Sequence, residues 1–298
     1  MQRFIGWLRA LRPKQWTKNG LVFAALLFAH QYLMPGKTER ALLAFACFCA
    51  LASAVYLLND VRDIEEDRKH PRKRNRPLAS GLISVPTALV TAALLGPLAL
   101  IGFFSINLET GLLALGYLFL QLLYNLVLKH VVILDVLTVS AGFVLRAAVG
   151  ATAIEVVISP WLLICTILLA LFLALSKRRQ EISVMGVGAA STRRILSEYS
   201  RYLLDQMIAV VTASTLMSYA LYTISDRTIH ELGTDKLMYT IPFVIYGIFR
   251  YLYLVHQRDQ GEAPDRVLLT DGPLLVNVLL YAVTVIAILQ LFGRPPGA

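Results

Sequence analysis

A chain of 298 residues that is 57% hydrophobic and only 16% charged carries too much apolar surface for one soluble domain of its size. Its net charge of +9 raises nucleic acid as a partner, but most of the cations fall in alternate connections between apolar runs, which argues against that class. What remains is an all-α, polytopic membrane protein: about nine transmembrane helices around a central cavity, in a single membrane domain over residues 1–298.

Residues 1–15 read as an interfacial helix, because Phe4, Ile5, Trp7, Leu8 and Leu11 are interleaved with Arg3, Arg9 and Arg12. No cleavable leader is expected, since the first apolar run follows Arg12-Pro13-Lys14-Gln15-Trp16 and is long enough to span. Spans are predicted at 16–34, 39–58, 86–106, 110–128, 131–153, 160–176, 203–224, 237–256 and 272–292. With the N-terminus inside, the inner connections collect most of the Arg and Lys. The outer ones keep only Lys37, Arg40, Arg227, Lys236 and Arg294. That asymmetry predicts a cytoplasmic N-terminus in the cell (plasma) membrane. Cys47, Cys49 and Cys165 fall inside apolar runs without zinc-site spacing and read as small core residues.

After the second span comes Asn59-Asp60-Val61-Arg62-Asp63-Ile64-Glu65-Glu66-Asp67-Arg68. On a continuous helix, rotations of about 300° and 340° from Asp60 bring Asp63 and Asp67 into one narrow arc. A charge run is usually a solvated helix end. Here Asn59 and Asp60 directly continue the apolar run 50–58, a depth at which polar groups are costly without a task. Asp60, Asp63 and Asp67 are therefore the candidate metal ligands and catalytic carboxylates, with Asn59 in support. Carboxylates with few other protein ligands suit Mg2+, which keeps waters and shares its shell with substrate phosphates.

Arg68, Lys69, Arg72, Lys73, Arg74 and Arg76 follow at once, broken by Pro71 and Pro77 and closed by Ser80-Gly81. The pattern predicts a folded cytoplasmic loop over 59–85 that turns cations toward the acids, with Lys73, Arg74 and Arg76 as phosphate-binding candidates. Part of this cluster also serves as an anchor on anionic lipid.

Tyr124, Asn125 and Lys129 close the fourth span, with Asn125 and Lys129 one turn apart. Asp135 and Arg146 share a face of the fifth, about 16 Å apart along the axis and too distant to pair. An arginine in an apolar run requires a polar interior or a partner. Tyr124, Lys129, Asp135 and Arg146 are substrate-binding candidates, each with a structural reading of about equal weight. At the end of the sixth span, Ser176-Lys177-Arg178-Arg179-Gln180-Glu181 opens a second cytoplasmic segment, 177–202. Lys177 and Glu181 are catalytic candidates and Arg178 a substrate-binding one; the plain alternative is an intrahelical Lys177–Glu181 pair. Three consecutive cations cannot all face one way, so at least one turns to lipid headgroups. A third inner segment, 257–271, carries Arg258, Asp259, Glu262, Asp265, Arg266 and Asp271.

The pattern Asn59-Asp60-x-x-Asp63-x-x-x-Asp67, followed by His70-Pro71-x-Lys73-Arg74-x-Arg76-Pro77-x-Ala79-x-Gly81, resembles the first aspartate-rich motif of the UbiA superfamily of intramembrane prenyltransferases. Arg12–Asn19, Gly142–Arg146, Ser176–Glu181 and Phe249–Leu254 extend the likeness over nearly the whole chain. Typical aromatic prenyltransferases of that superfamily carry a second aspartate-rich motif where this chain has Lys177, Arg178, Arg179 and one acid, Glu181. In this respect the chain is similar to the phosphoribosyltransferase branch. That resemblance implies transfer of 5-phosphoribose from 5-phosphoribosyl 1-diphosphate to polyprenyl (decaprenyl) phosphate, with release of diphosphate and use of Mg2+. It further implies supply of a cell-wall arabinan precursor and allows a homo-oligomer, a trimer. An aromatic prenyltransferase acting on a prenyl diphosphate is the alternative. A membrane transporter fits less well, because the polar groups crowd the inner face.

Overall fold

The computed structural model describes residues 2–29, 31–69, 73–157, 160–185, 194–258, 267 and 270–293, and every regular element among them is a helix. The α-helices are α1 (Gln2–Ala10), α2 (Ala24–Phe28), α3 (Pro35–Arg62), α4 (Ile64–Lys69), α5 (Val85–Ile106) and α6 (Leu108–Leu126). They continue as α7 (Leu134–Ala153), α8 (Pro160–Met185), α9 (Arg201–Ile224), α10 (Asp226–Leu232), α11 (Ile241–Gln257) and α12 (Gly272–Phe292). His70, Pro71, Arg72, Asp259, Glu262, Asp265, Arg266 and Arg294 lie outside the described residues.

Six stretches among the described residues are long and apolar enough to cross a membrane: α3, α5, α7, α9, Lys236–Gln257 and α12. Two more, α6 with 19 residues and α8 with 26, match them in length. Leu94, Leu98 and Ile101 of α5 and Val276, Leu279 and Val283 of α12 point outward as an apolar surface suited to lipid. The protein is an integral membrane protein by these helices.

The predicted first span, 16–34, is not one regular helix. Pro13–Phe23 forms a 3-10 helix and only the five residues of α2 are α-helical after it. Asn19 and Gly20 are weak helix formers, and Asn19 turns its side chain inward to accept a hydrogen bond from Arg146. Val22 then presses its backbone against α7 at Gly150, where an added Cβ would lie 2.0 Å from the Val22 carbonyl oxygen. Gly150→Ala is expected to cost about 1–3 kcal/mol by overpacking, read as a lower thermal unfolding midpoint in detergent. An unchanged midpoint would show that this contact does not shape the segment.

Successive long helices pack side by side, α3 on α5, then α6, α7, α8 and α9 in turn. Phe28 of α2 meets Tyr222 of α9 edge to face at 6.3 Å, in a cluster with Val285 and Ile288 of α12, so the chain's beginning and end close the bundle. The C-terminal ends of α3, α6 and α8 share one end of the bundle with the N-terminal ends of α7 and α9, tied there by Lys129–Asp63, Arg178–Asp135 and Arg179–Asp205 pairs. At the other end, Lys37 and Arg40 of α3 pair with Glu155 beside a cavity of about 700 Å³ lined by Asn107, Glu109 and Thr152.

Candidate active site

The acidic motif does not lie on one continuous helix face as its spacing predicts. α3 stops at Arg62, Asp63 takes φ −90° and ψ 11°, and α4 restarts at Ile64. The carboxylates consequently divide. Asp60 and Asp67 converge on Nη1 of Arg76, at 3.1 and 2.6 Å, while Asp63 receives Nζ of Lys129 at 3.1 Å. Asp60 and Asp67 are only 2% and 3% exposed, and both are paired with guanidinium at that depth.

A second guanidinium reaches Asp60 from Arg12, which also stacks over the Tyr56 ring at 4.8 Å. Arg12 has φ 54° and ψ 56°, a left-handed backbone rare outside glycine, and this turn redirects the chain from α1 into the bundle. Its place in the motif is absent from the spacing-based candidates, which count Arg12 only among the lipid-side cations. The local signal was Pro13, since a residue before proline is pushed out of the right-handed helical region. Nothing local pointed to Asp60, 48 residues away.

Among the described residues, no three His, Cys, Asp or Glu side chains gather closely enough to hold a metal ion by themselves. Asp60 and Asp67 nevertheless bring two hard oxygen donors to one cationic nitrogen. This pair suits Mg2+, whose remaining positions go to water and phosphate oxygens. Asp63 stands beside it with Lys129 rather than in it. Asn59 is half-buried and its carbonyl accepts the Asp63 amide at 2.9 Å. Lys73 and Arg74 lie in the short 3-10 turn Lys73–Asn75, with Arg74 exposed and the Lys73 carbonyl accepting the Arg76 amide at 2.9 Å.

The basic motif lies inside α8, which continues to Met185, so Lys177 through Glu181 are helical rather than part of a loop. Helical rotation fans the three cations apart. Lys177 is exposed, its Nζ 3.9 Å from Glu181, and Arg179 turns to Asp205 on α9. Arg178 turns inward: Nε donates to Asp135 Oδ2 at 2.8 Å and Nη1 to Glu181 Oε2 at 2.6 Å. Asp135 is fully buried, and its other oxygen accepts the Tyr199 hydroxyl at 2.7 Å. Burial, reinforced by this bond to Asp135, pushes the Tyr199 hydroxyl up to about 12, so it stays protonated and donates near neutral pH. Tyr124 is half-buried within electrostatic reach of Arg178.

Other candidates are placed differently. α6 ends at Leu126, so Lys129 belongs to the 3-10 turn Leu128–His130 and does not stack above Asn125 on one helix. The turn carries Lys129 across to Asp63. Arg146 belongs to a separate buried cage. Its guanidinium donates to Asn19 at 2.9 Å, to the Gly142 carbonyl at 3.0 Å and to the Tyr117 hydroxyl at 2.7 Å, and it lies over the Tyr117 and Phe143 rings. With three of its nitrogens engaged in protein bonds, Arg146 ties α6, α7 and the irregular first segment together. Asp271 caps α12 through the Leu274 amide and receives both Nε and Nη2 of Arg250, whose bonds hold its carboxyl below the usual range.

The bundle end thus presents paired carboxylates and clustered cations in neighbouring ion-pair groups, an arrangement that can hold a polyanion with its counter-cation. Among known proteins, the chain is 37% identical over 287 residues to the decaprenyl-phosphate phosphoribosyltransferase of Corynebacterium glutamicum, covering 94% of this chain and 86% of that protein. It is 34% identical over 284 residues to the protein of the same name from Mycobacterium tuberculosis, covering 94% and 93%. A solved UbiA homologue from Archaeoglobus fulgidus, bound to GPP and Mg2+, shares the fold with a TM-score of 0.73 at 20% identity, covering 95% of this chain and 99% of that one. The model of the UbiA prenyltransferase family matches residues 20–272, and the chain belongs to that family.

Proposed function

We propose that this protein transfers 5-phosphoribose from 5-phosphoribosyl 1-diphosphate to a polyprenyl phosphate, decaprenyl phosphate by the relatives' name, releasing diphosphate. The observation that carries the reading is the pairing of two unlike motifs at one bundle end: the carboxylates of α3 and α4, and the cations of α8 held by Asp135 and Glu181. Cations in the second motif suit a donor with phosphate at both ends better than a prenyl diphosphate. The two named relatives, at 37% and 34% identity, support the same assignment.

In this reading Asp60 and Asp67 hold Mg2+, with Asp63 adjacent. When bound, the metal offsets negative charge on the diphosphate leaving group. Arg76, Lys129, Lys73 and Arg74 grip phosphate oxygens from the acidic side, and Lys177 does so from α8. Glu181, oriented by Arg178, accepts a ribose hydroxyl. The C1–O bond to diphosphate breaks as an oxygen of the lipid phosphate bonds to C1. The nucleophile is already an anion, so no strong general base is needed. The polyprenyl tail would lie among lipid between helices, and the positive-inside distribution supports a site and N-terminus on the cytoplasmic face of the cell membrane.

The test supplies purified protein and Mg2+ with labelled phosphoribosyl diphosphate plus decaprenyl phosphate, and in parallel with a prenyl diphosphate plus 4-hydroxybenzoate. A labelled ribosyl lipid in the first mixture is the expected result. Product in the second mixture alone would replace this reading with aromatic prenyl transfer.

A further inference from the structure

The connection between α6 and α7 holds a strained residue, Ile133, between Lys129 and Asp135. Ile133 has φ 69° and ψ −43°, near a γ-turn geometry that L residues seldom adopt, and its branched Cβ makes that geometry costlier. Its amide donates to the Tyr199 hydroxyl at 2.7 Å, and that hydroxyl gives its own proton to Asp135. Tyr199 arrives from a distant part of the chain, after the 3-10 turn Arg194–Glu198, and is buried with Val136, Phe172, Leu175 and Leu204. Lys129, on Asp63, lies just upstream of Ile133, and Asp135, on Arg178, just downstream.

We propose that Tyr199 is a positioning residue for the donor site: its hydroxyl fixes the Ile133 turn and thereby sets Lys129 against Asp63 and Asp135 against Arg178. The proposal rests on the phosphoribosyl-transfer reading for its substrate. A single hydroxyl accepts from the strained amide and donates to the buried carboxylate, so it fastens the acidic and basic halves to one point. Phenylalanine would fill the same space and leave both groups without that partner. Strain of this kind persists where surrounding contacts over-determine it, and here Tyr199 adds to the backbone bonds from the Asp135 amide to the Val131 carbonyl and from the Leu137 amide to the Ile133 carbonyl.

The test compares wild type, Tyr199→Phe and Tyr199→Phe with Ile133→Gly. It measures kinetics for each substrate, thermal midpoint, and amide hydrogen exchange over residues 131–136. Tyr199→Phe should raise the donor KM about tenfold, leave the acceptor KM within about twofold, and speed exchange at the turn. Glycine accepts positive φ, so the double variant should regain the midpoint but not the donor KM, because Asp135 still lacks its donor. Unchanged donor KM and exchange in Tyr199→Phe would overturn the proposal. So would a double variant that recovers midpoint and donor KM together, since strain relief alone would then explain Tyr199. Wild-type protein inactive with phosphoribosyl diphosphate would overturn the donor assignment instead, and the exchange rates would still decide whether Tyr199 holds the turn.

Discussion

Asp60→Asn is expected to lower phosphoribosyl transfer by about a thousandfold or more while the protein still folds. The carboxylate is the most enclosed acid of the first motif, and it meets both Arg12 and Arg76. Asparagine keeps the shape but loses the charge that two guanidiniums and a divalent cation would share. The folding cost is moderated because the Arg12 and Arg76 side chains are 22% and 28% exposed, and water screens the charge they regain. Arg76 also retains Asp67. Turnover should therefore collapse while the thermal midpoint falls only modestly. Adding Arg12→Gln to the same chain should recover midpoint without activity. Near-normal turnover in Asp60→Asn would remove Asp60 from the chemistry.

The largest stability effect belongs to the second motif. Arg178→Leu leaves Asp135 fully buried with its negative charge uncompensated, at a cost of about 3–5 kcal/mol. Combining it with Asp135→Leu removes both charges and should recover most of the loss, because a buried pair contributes little beyond satisfying itself. Activity should recover in neither protein, since Glu181 loses the guanidinium that orients it. Chemical or thermal unfolding of the four proteins in a double-mutant cycle reads this directly. An Arg178→Leu protein as stable as wild type would show that this pair does not hold the bundle end together.

How much of this was legible in the residues depends on the distance over which each signal acts. The membrane-length runs at α3, α5, α7, α9, Lys236–Gln257 and α12 are summed properties of many residues and were readable. The acidic row was readable from spacing, yet its break at Asp63 was not, because Asp60 and Asp67 are drawn toward Arg76 and Asp63 toward Lys129 by contacts that helix periodicity does not encode. Arg146 announced itself as a buried cation needing partners. Those partners, Asn19 and Tyr117, came from two other segments, both read as ordinary spans. The fanning of Lys177, Arg178 and Arg179 followed from helical rotation alone, but which one turned inward depended on Asp135, 43 residues away. Tyr199 carried no local mark at all, since one aromatic in a charged connection resembles any packing residue.

The break that isolates α4 has a further effect on how this end of the molecule becomes ordered. A helix of six residues is too short to nucleate by itself, as its few backbone bonds do not repay the dihedrals they fix. α4 is held instead by side chains: Asp67 on Arg76, and Arg68 reaching the Ala79 carbonyl. The turn at Lys73–Asn75 is shorter still and is gripped from the opposite side by Arg76 through the same pair. Asp67 and Arg76 therefore order together: neither the carboxylate of α4 nor the cation that follows it acquires a defined position until the other does, while Asp60 is already set by the long α3.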